Sequence, residues 1–341
     1  MNKLRLIILL SLCIFDARFS YAQTNRLDSL FNIGMELVQS GNYNEAARVY
    51  EECLTFPEIR STKTEAVLYA QVAACKLALG DFAVAADMYG QSIQVFSNVV
   101  DSNNDDDINY LNEIVFQRVI SLAALADNYF QQDNYKTAVD IMAIAWEGCE
   151  FIEEGNEEKQ NIIKSVAIDY AKYLTGLAIS TYSSENSLES ISLLKKSIRL
   201  LDRANSNDRV LYLMNLKTLA TYLSLSNKYN EAISCRKRLL NIYEKLPELD
   251  RLDYASSLHD LALDYCQIGN YSDALKIEKE SLHIYKEMQG TDSVGYIKSL
   301  LQLSVCYGEL EQYQKAISFA DEGIKYVTGC MVFILMSIIT S

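Results

Sequence analysis

Proline and histidine are nearly absent from this sequence of 341 residues, which contains two of each. Because proline removes a hydrogen bond and clashes inside a helix, having only Pro57 and Pro247 favours a nearly all-helical chain. His259 and His283 cannot complete any recurring zinc-ligand spacing. The sequence also has no HExxH motif, GxSxG motif or glycine-rich phosphate loop. We therefore expect no catalytic site, no metal site and no cofactor.

Positive charge is also scarce. The chain has 31 Lys and Arg against 45 Asp and Glu, which gives a formal net charge of −14. An acidic surface of this size repels phosphate backbones and anionic head groups. Nucleic acid is therefore not an expected partner.

The N-terminus has the pattern of a secretory signal peptide. Lys3 and Arg5 precede a largely apolar run at residues 6–15. A small-x-small cleavage motif follows, with cleavage expected after Ala22. The run is shorter than the roughly 20 residues that span a bilayer. Lipidation at Cys13 is the alternative, but its preceding "LSL" lacks the small residue usual before a lipidated cysteine. We expect an exported bacterial protein, periplasmic or in the cell envelope.

The cysteines left after such cleavage are odd in number and form no CxxC motif. An oxidising compartment would permit disulfides, but most of these residues fall within helical patterns. We therefore interpret them as small buried apolar side chains. They are Cys53, Cys75, Cys149, Cys235, Cys266, Cys306 and Cys330.

Seven similar turn phrases recur along the chain. They begin at residues 41 (GNY), 80 (GDF), 133 (DNY), 185 (ENS), 227 (NKY), 269 (GNY) and 311 (EQY), and the last three intervals are 42 residues each. A small residue stands seven positions before each phrase: Gly34, Ala73, Ala126, Ala178, Ala220, Ala262 and Ser304. An aromatic residue and then an alanine follow in every copy except the fourth, which has Ser187 and Ser190.

This pattern predicts helical hairpins. Apolar residues three and four positions apart form one stripe along a helix. A Gly-Asn or Asp-Asn pair ends that helix, because these residues tolerate the left-handed cap conformation. Small residues such as Ala262 and Ala274 let the two helices approach, and the aromatic residue fills the wedge between them. Each hairpin leaves an apolar face that only a neighbouring hairpin can bury.

The combined motif resembles the tetratricopeptide repeat, here as Gly34, then Gly41-Asn-Tyr43, Ala46 and Tyr50, with Pro57 closing the unit. The 42-residue period is similar to the longer repeats of kinesin light chains and of many exported bacterial regulators. The resemblance covers residues 27–327. It implies an all-α, right-handed α-solenoid over residues 23–327, with an apolar tail at 328–341. About seven stacked hairpins are expected, near 27–58, 66–98, 119–150, 171–203, 213–246, 255–288 and 297–327.

The two long intervals between phrases predict extra helix or loop at 97–118 and 150–170. The segment "DSNNDDD" (101–107) has the acidity of a calcium loop but lacks the glycine and glutamate that an EF-hand requires. We interpret it as a solvated linker whose last aspartates cap a helix that begins near Ile108. The acidic segment "EEGNEEKQ" (153–160) has the same interpretation.

The resemblance also implies that the first helix of each hairpin lines a concave, partner-binding face. In the family that this chain resembles, several lysines and asparagines on this face can hold the terminal carboxylate of a peptide. This sequence has no such set. Adjacent His259 and Asp260 point about 100° apart on a helix, so they do not form a catalytic pair. The residues expected on the concave face are Asp127, Lys217, Thr221, His259, Asp260, Lys298 and Gln302.

We therefore expect a non-catalytic scaffold that binds a protein or peptide on this face. The alternatives are the sensing region of a membrane histidine kinase or transcriptional regulator, and the accessory repeats of a caspase-like protease. The tail "CMVFILMSIIT" (330–340) has three possible interpretations: a cap packed on Leu300 and Leu303, the stub of a transmembrane or out-of-frame segment, or a surface anchor. Only a longer transmembrane segment would bring membrane contact.

Overall fold

The computed structural model describes residues 25–152, 157–204, 209–245, 251–289 and 293–340, with the backbone alone for residues 25, 289 and 327–340. The expected signal peptide and residues 153–156 of the second acidic segment lie outside the described residues. So do the side chains of the apolar tail, including Cys330. What the sequence predicts for these segments stays a prediction.

Helix accounts for 85% of the described residues, and no strand occurs in those ranges. The helices follow one another in pairs joined by short turns, with odd numbers for the first helix of each pair and even numbers for the second. The predicted all-α fold built from seven helical hairpins is confirmed. The helices are α1 (Asn25–Gln39), α2 (Tyr43–Cys53), α3 (Lys63–Ala78), α4 (Phe82–Ser97), α5 (Asp105–Gln131), α6 (Tyr135–Cys149), α7 (Glu157–Thr181), α8 (Ser187–Arg203), α9 (Arg209–Leu225), α10 (Tyr229–Glu244), α11 (Arg251–Gln267), α12 (Tyr271–Gln289), α13 (Val294–Glu309) and α14 (Tyr313–Thr340).

The chain divides into two compact units, Met1–Leu177 and Ala178–Ser341. Unit 1 holds α1–α6 and most of α7. Unit 2 holds the last turn of α7 and all of α8–α14. Within each unit, most consecutive helices pack against each other, and their apolar side chains form shared clusters.

Six of the seven turns use the same backbone conformation. The first residue of each phrase has a φ between 58° and 81°, and the next N–H donates to a carbonyl five residues back at 2.8–3.0 Å. This is the hydrogen bond of a Schellman cap. Glycine takes this conformation freely, and aspartate and asparagine tolerate it. The residues are Gly41, Gly80, Asp133, Asn227, Gly269 and Glu311.

The fourth hairpin departs from this pattern in its turn. Residues 182–186 form a longer connection in which no residue has a positive φ. Ser190 occupies the usual alanine position and is fully buried, with its Oγ 3.5 Å from Thr181 Oγ1. The Tyr182 ring stacks on the Tyr222 ring at a centroid distance of 3.7 Å. The weak sequence match at this repeat thus corresponds to a different local structure.

The small residues lie where the paired helices meet. A Cβ on Gly34 would lie 2.5 Å from the Tyr50 ring, and Ala262 and Ala274 are fully buried in one cluster. The prediction that every turn aromatic fills the wedge is wrong for Tyr313, which is 62% exposed.

The two long intervals are taken up largely by longer first helices. α5 begins at Asp105 rather than near Ile108, and α7 begins at Glu157. The cap of α5 is Asn104, whose side chain accepts a hydrogen bond from the Asp106 N–H at 3.0 Å. The prediction of an aspartate cap is therefore wrong. The three aspartates instead lie in the first helical turn, where negative charge favours the helix dipole.

Asp107 corrects the prediction of a purely solvated linker. It is 1% exposed, accepts a hydrogen bond from Lys63 Nζ at 2.6 Å, and accepts another from the Asp101 N–H at 2.9 Å. Burial alone would raise the pKa of Asp107, but the hydrogen bonds and charge of Lys63 outweigh it and lower that pKa. One residue of the acidic segment thus joins α5 to α3.

All six described cysteines are free thiols. Four are buried and two are half-buried, which agrees with their interpretation as small core residues in most positions. Burial raises the pKa of Cys53 to about 11 and that of Cys75 to about 12. The buried ones are Cys53, Cys75, Cys149 and Cys306, and the half-buried ones are Cys235 and Cys266.

The apolar tail continues the last helix. Helix α14 continues to Thr340, but its side chains beyond Tyr326 are not described. Among the described residues, no helix combines the length and the apolar character needed to cross a membrane. The three interpretations of the tail all remain predictions.

Candidate partner-binding surface

Six of the seven predicted partner-binding residues lie on three successive first helices of unit 2. We call these six residues together the first-helix surface. Lys298 is exposed and the other five are half-buried. Lys217 and His259 are one 42-residue period apart, as are Asp260 and Gln302. The six are Lys217 and Thr221 on α9, His259 and Asp260 on α11, and Lys298 and Gln302 on α13.

Polar contacts join these helices to one another. Lys217 Nζ on α9 donates to Asp253 Oδ1 on α11 at 2.9 Å. Gln302 Nε2 on α13 donates to Cys266 Sγ on α11 at 3.1 Å. The Thr221 hydroxyl donates within its own helix to the Lys217 carbonyl at 2.9 Å. Polar side chains therefore link α9 to α11 and α11 to α13.

Asp260 is held from beneath by an arginine that the sequence pattern did not identify. The Arg236 side chain on α10 is 5% exposed, and its Nη1 donates to Asp260 Oδ2 at 2.9 Å. Its Nε donates to Asp264 Oδ2 at 2.6 Å, and Ser224 Oγ donates to Asp264 Oδ1 at 2.6 Å. Asp260 is thus already paired, and its replacement would disturb the hairpin as well as the surface.

His259 is held in a similar way by a buried glutamate. Its Nδ1 lies 2.9 Å from Glu278 Oε1 on α12, and Glu278 is 0% exposed. Burial lowers the pKa of His259, but the hydrogen bond and charge of Glu278, with the charge of Asp260, raise it by more. The charge of Lys298 opposes this increase. The net effect is a raised pKa, so the surface favours a protonated imidazole.

Arg236 and Glu278 occupy the same position of the repeat, nine residues after the start of the turn phrase. The first four hairpins have Tyr50, Tyr89, Met142 and Leu194 there, all buried. The fifth and sixth hairpins therefore replace a core side chain by a charge, and each charge contacts a residue of the first-helix surface. This substitution could have been found by aligning the repeats position by position.

Lys298 and Gln302 differ in how far they are engaged. In the described part of the chain no carboxylate lies within ion-pair distance of Lys298 Nζ, and the residue is exposed. Gln302 is half-buried, with its amide nitrogen directed at Cys266. Lys298 thus offers a charge to a partner, whereas Gln302 is held in place by the hairpin beside it.

Asp127, the seventh predicted residue, lies on α5 of unit 1. Its Oδ1 accepts a hydrogen bond from the Tyr173 hydroxyl at 2.9 Å, and its Oδ2 accepts one from Gln131 Nε2 at 3.3 Å. Lys172 Nζ lies 4.8 Å from the centroid of the Phe130 ring in the same unit. Asp127 therefore belongs to a polar site of unit 1 and is not counted in the first-helix surface.

A second surface feature of unit 2 is a groove of about 630 Å³ beside α8 and α10. Its floor includes Ile191 and Ile198, and its rim carries Lys195, Arg199 and Arg238. Lys195 pairs with a glutamate of α10 at 2.7 Å, so part of this positive charge is already neutralised. Within the described residues, no group of three or more His, Cys, Asp or Glu side chains could hold a metal ion.

Residues 27–58 and residues 227–287 each match a family model of the tetratricopeptide repeat. The chain therefore contains tetratricopeptide repeats in these two stretches. The first match covers the first hairpin of unit 1. The second covers α10–α12 almost completely and so includes Arg236, His259, Asp260 and Glu278. The repeats expected from the turn phrases are thereby confirmed, and repeats of this kind stack into arrays with extended binding surfaces.

Several solved structures are similar to this chain. BtubC (BKLC) from P. vanneervenii has 12% identity and a TM-score of 0.42, over 72% of this chain and 90% of that one. The nearly identical TPR-like repeats of a kinesin light chain candidate from Podosopora anserina have 16% identity and a TM-score of 0.41, over 62% and 96%. A Rap protein in complex with competence and sporulation factor has 15% identity and a TM-score of 0.39, over 89% and 76%. At these TM-scores the likeness carries no information on function. No curated protein matches the sequence.

Proposed function

We propose that this protein is a non-catalytic scaffold whose first-helix surface binds an extended segment of a partner protein. The observation that carries this proposal is Lys298, an exposed lysine beside half-buried Gln302 and His259. In the described part of the chain Lys298 has no ion-pair partner. A free cation in a row of ordered polar groups favours a partner that carries a carboxylate at the matching place.

The spacing of the helices supports an extended segment. The first helices α11 and α13 approach within 8 Å between Cα atoms, axes of packed helices lie roughly 8–10 Å apart, and an extended chain rises about 3.3 Å per residue. About every third residue of the partner would then face a new helix. The contacts would follow the order α9, α11 and α13, with Lys217, His259 and Lys298 meeting successive positions of one peptide.

Selection from a random peptide display library on the purified protein tests this proposal. We expect enriched peptides with an acidic residue, whose affinity falls about tenfold in Lys298→Ala, the loss of one charge-assisted hydrogen bond. Lys276→Ala is the matched control, because Lys276 is an exposed lysine on α12 with 76% of its side chain accessible.

Two further variants decide where the peptides bind. Arg199→Ala alters the rim of the groove beside α8 and α10 and should leave the affinity unchanged. Loss of binding in Arg199→Ala with retained binding in Lys298→Ala would place the site in that groove and contradict the proposal. Asp260 is kept intact in these experiments because Arg236 depends on it.

We also propose that the protein is exported after cleavage near Ala22. The pattern of residues 1–22 supports this, and those residues lie outside the described structure. A fusion of residues 1–30 to alkaline phosphatase should be active only if the segment directs export in a bacterial host. Inactivity of the fusion would contradict the proposal. The sensing-region and protease-accessory alternatives stay predictions from the sequence.

A further inference from the structure

Two cysteines from neighbouring hairpins of unit 2 lie in direct contact. Cys266, near the C-terminal end of α11, and Cys306 on α13 have their sulfur atoms 3.4 Å apart. The helices themselves approach within 8 Å between Cα atoms. Cys306 is fully buried in the apolar cluster of the sixth hairpin, whereas Cys266 is half-buried. Cys306 is thus shielded from solvent, whereas part of Cys266 is accessible.

The surroundings of the pair distinguish the two thiols. Gln302 Nε2 donates to Cys266 Sγ at 3.1 Å. The hydrogen bond from Cys306, with that from Gln302, outweighs burial and lowers the pKa of Cys266. The same contact and burial raise the pKa of Cys306. The thiolate therefore forms on Cys266, the cysteine that is partly accessible.

We propose that Cys266 and Cys306 are a redox pair that forms an intrachain disulfide between the sixth and seventh hairpins, with a low-molecular-weight disulfide such as oxidised glutathione as the oxidant. The Cys266 thiolate attacks one sulfur of the oxidant, and a glutathione thiolate leaves. Cys306 then attacks Cys266 Sγ in the mixed disulfide, the second glutathione leaves, and the Cys306 proton passes to a departing thiolate. Two protein thiols are oxidised, and one oxidant disulfide is reduced to two thiols.

The two sulfur atoms are already in van der Waals contact. A disulfide requires an S–S separation near 2.05 Å and Cα atoms no more than about 7 Å apart, so the sulfurs must approach by about 1.4 Å. Once Cys266 is bonded to glutathione it no longer carries a negative charge beside Cys306. The part of the raised pKa of Cys306 that comes from Cys266 is then gone, whereas the part that comes from burial stays.

Oxidation also reaches the first-helix surface through Gln302. Its amide donates to Cys266 Sγ, and a disulfide sulfur is a weaker acceptor than the thiolate that we propose there. Formation of the disulfide would release this amide and fix α13 against α11. This consequence rests on the proposed function, whereas the disulfide itself does not.

The test uses the full-length purified protein in glutathione buffers that range from fully reducing to fully oxidising. After alkylation of free thiols, mass spectrometry should find one cross-linked peptide pair, Cys266 with Cys306. The oxidised protein should melt about 5 °C or more higher, because the bond closes a loop of roughly 40 residues. A protein that stays fully reduced in oxidising buffer while folded, or that links other cysteines, overturns the proposal.

Single variants separate the two roles. Cys306→Ser should accumulate a glutathione adduct on Cys266, whereas Cys266→Ser should leave Cys306 unmodified because it is buried. Cys235→Ser, a half-buried cysteine on α10, is the matched control and should cross-link like the wild type. Equal glutathione labelling of Cys266→Ser and Cys306→Ser in their folded forms would contradict these roles. The wild-type cross-link needs no variant, so the proposal stays testable if a serine variant fails to fold.

Discussion

Arg236 is a buried charge on which two carboxylates depend. Its side chain is 5% exposed, and that of Asp264 is 4% exposed. Removing one partner of a buried ion pair leaves the other charge uncompensated and costs about 3–5 kcal/mol. We therefore expect Arg236→Met to lower the free energy of unfolding by about that amount in urea denaturation.

Two variants serve as controls for this prediction. Arg238→Met removes a neighbouring arginine that is 49% exposed and should cost under about 1 kcal/mol. The double variant Arg236→Met with Asp264→Leu replaces the ion pair by apolar groups and should recover much of the loss. An equal effect of Arg236→Met and Arg238→Met would show that the buried pair is not important for stability.

His259 makes stability depend on pH in a direction that follows from its raised pKa. Stability from the protonated ring is fully present below the unfolded pKa of about 6.5, and it is lost as pH rises through the higher folded pKa. The charged groups facing the ring are Glu278, Asp260 and Lys298. The stability difference between the wild type and His259→Gln should therefore shrink between pH 6 and pH 8.5.

The measurement is urea denaturation of both proteins at each pH. His283→Gln is the control, since His283 is exposed (68% of its side chain) and should leave the pH dependence as in the wild type. A difference between wild type and His259→Gln that stays constant over this range would contradict the proposed protonation.

Residues of the candidate site were predictable only in part from the sequence. The repeat register correctly placed Lys217, His259 and Lys298 on successive first helices. It did not identify Arg236 or Glu278, because the repeat pattern expects an apolar residue at this core position. A charged residue there counts only as a mismatch to the pattern. The contact of Cys266 with Cys306 was missed for a different reason: it depends on side-chain distances across two hairpins, which spacing along the chain does not give.

The turn elements show how closely local sequence determined the fold. Glycine, asparagine or aspartate begins five of the six turns that use the left-handed conformation, which these residues accept. Glu311 is the exception, with a φ of 59°. We expect Glu311→Gly to stabilise the protein by about 0.5–1 kcal/mol, as a strained backbone is relieved and part of the gain is offset by unfolded-state entropy.

The reciprocal change tests the same physical cause. Gly269 has a φ of 76°, and a Cβ there would meet nothing within 4 Å. Gly269→Glu should therefore destabilise through the backbone alone, by a similar amount. Thermal or urea unfolding of both variants should give shifts of opposite sign. Shifts of the same sign would mean that the side chains, rather than the left-handed backbone, decide stability at these turns.

The extended first helices were the least predictable elements. The phrase intervals showed that extra residues were present, but they could not tell a loop from added helical turns. Asp107 decides part of this, because its buried contact with Lys63 anchors the beginning of α5. Such a pairing joins residues 44 positions apart, and no periodic pattern contains it.

At the scale of the whole molecule, a substitution that destabilises one hairpin of a repeat array should destabilise mainly the adjacent hairpins. Ala262 is fully buried in a cluster that also contains Ile233 of α10 and Cys306 of α13. Ala262→Leu overpacks this cluster and should cost about 1–3 kcal/mol. Hydrogen exchange followed by mass spectrometry should show faster exchange in α9–α13 and unchanged exchange in α1–α4.

Lys279→Leu, at an exposed position of α12, should change neither region. Faster exchange throughout the chain in Ala262→Leu would instead mean that all seven hairpins unfold as one cooperative body, and that stability here is not the sum of neighbour contacts.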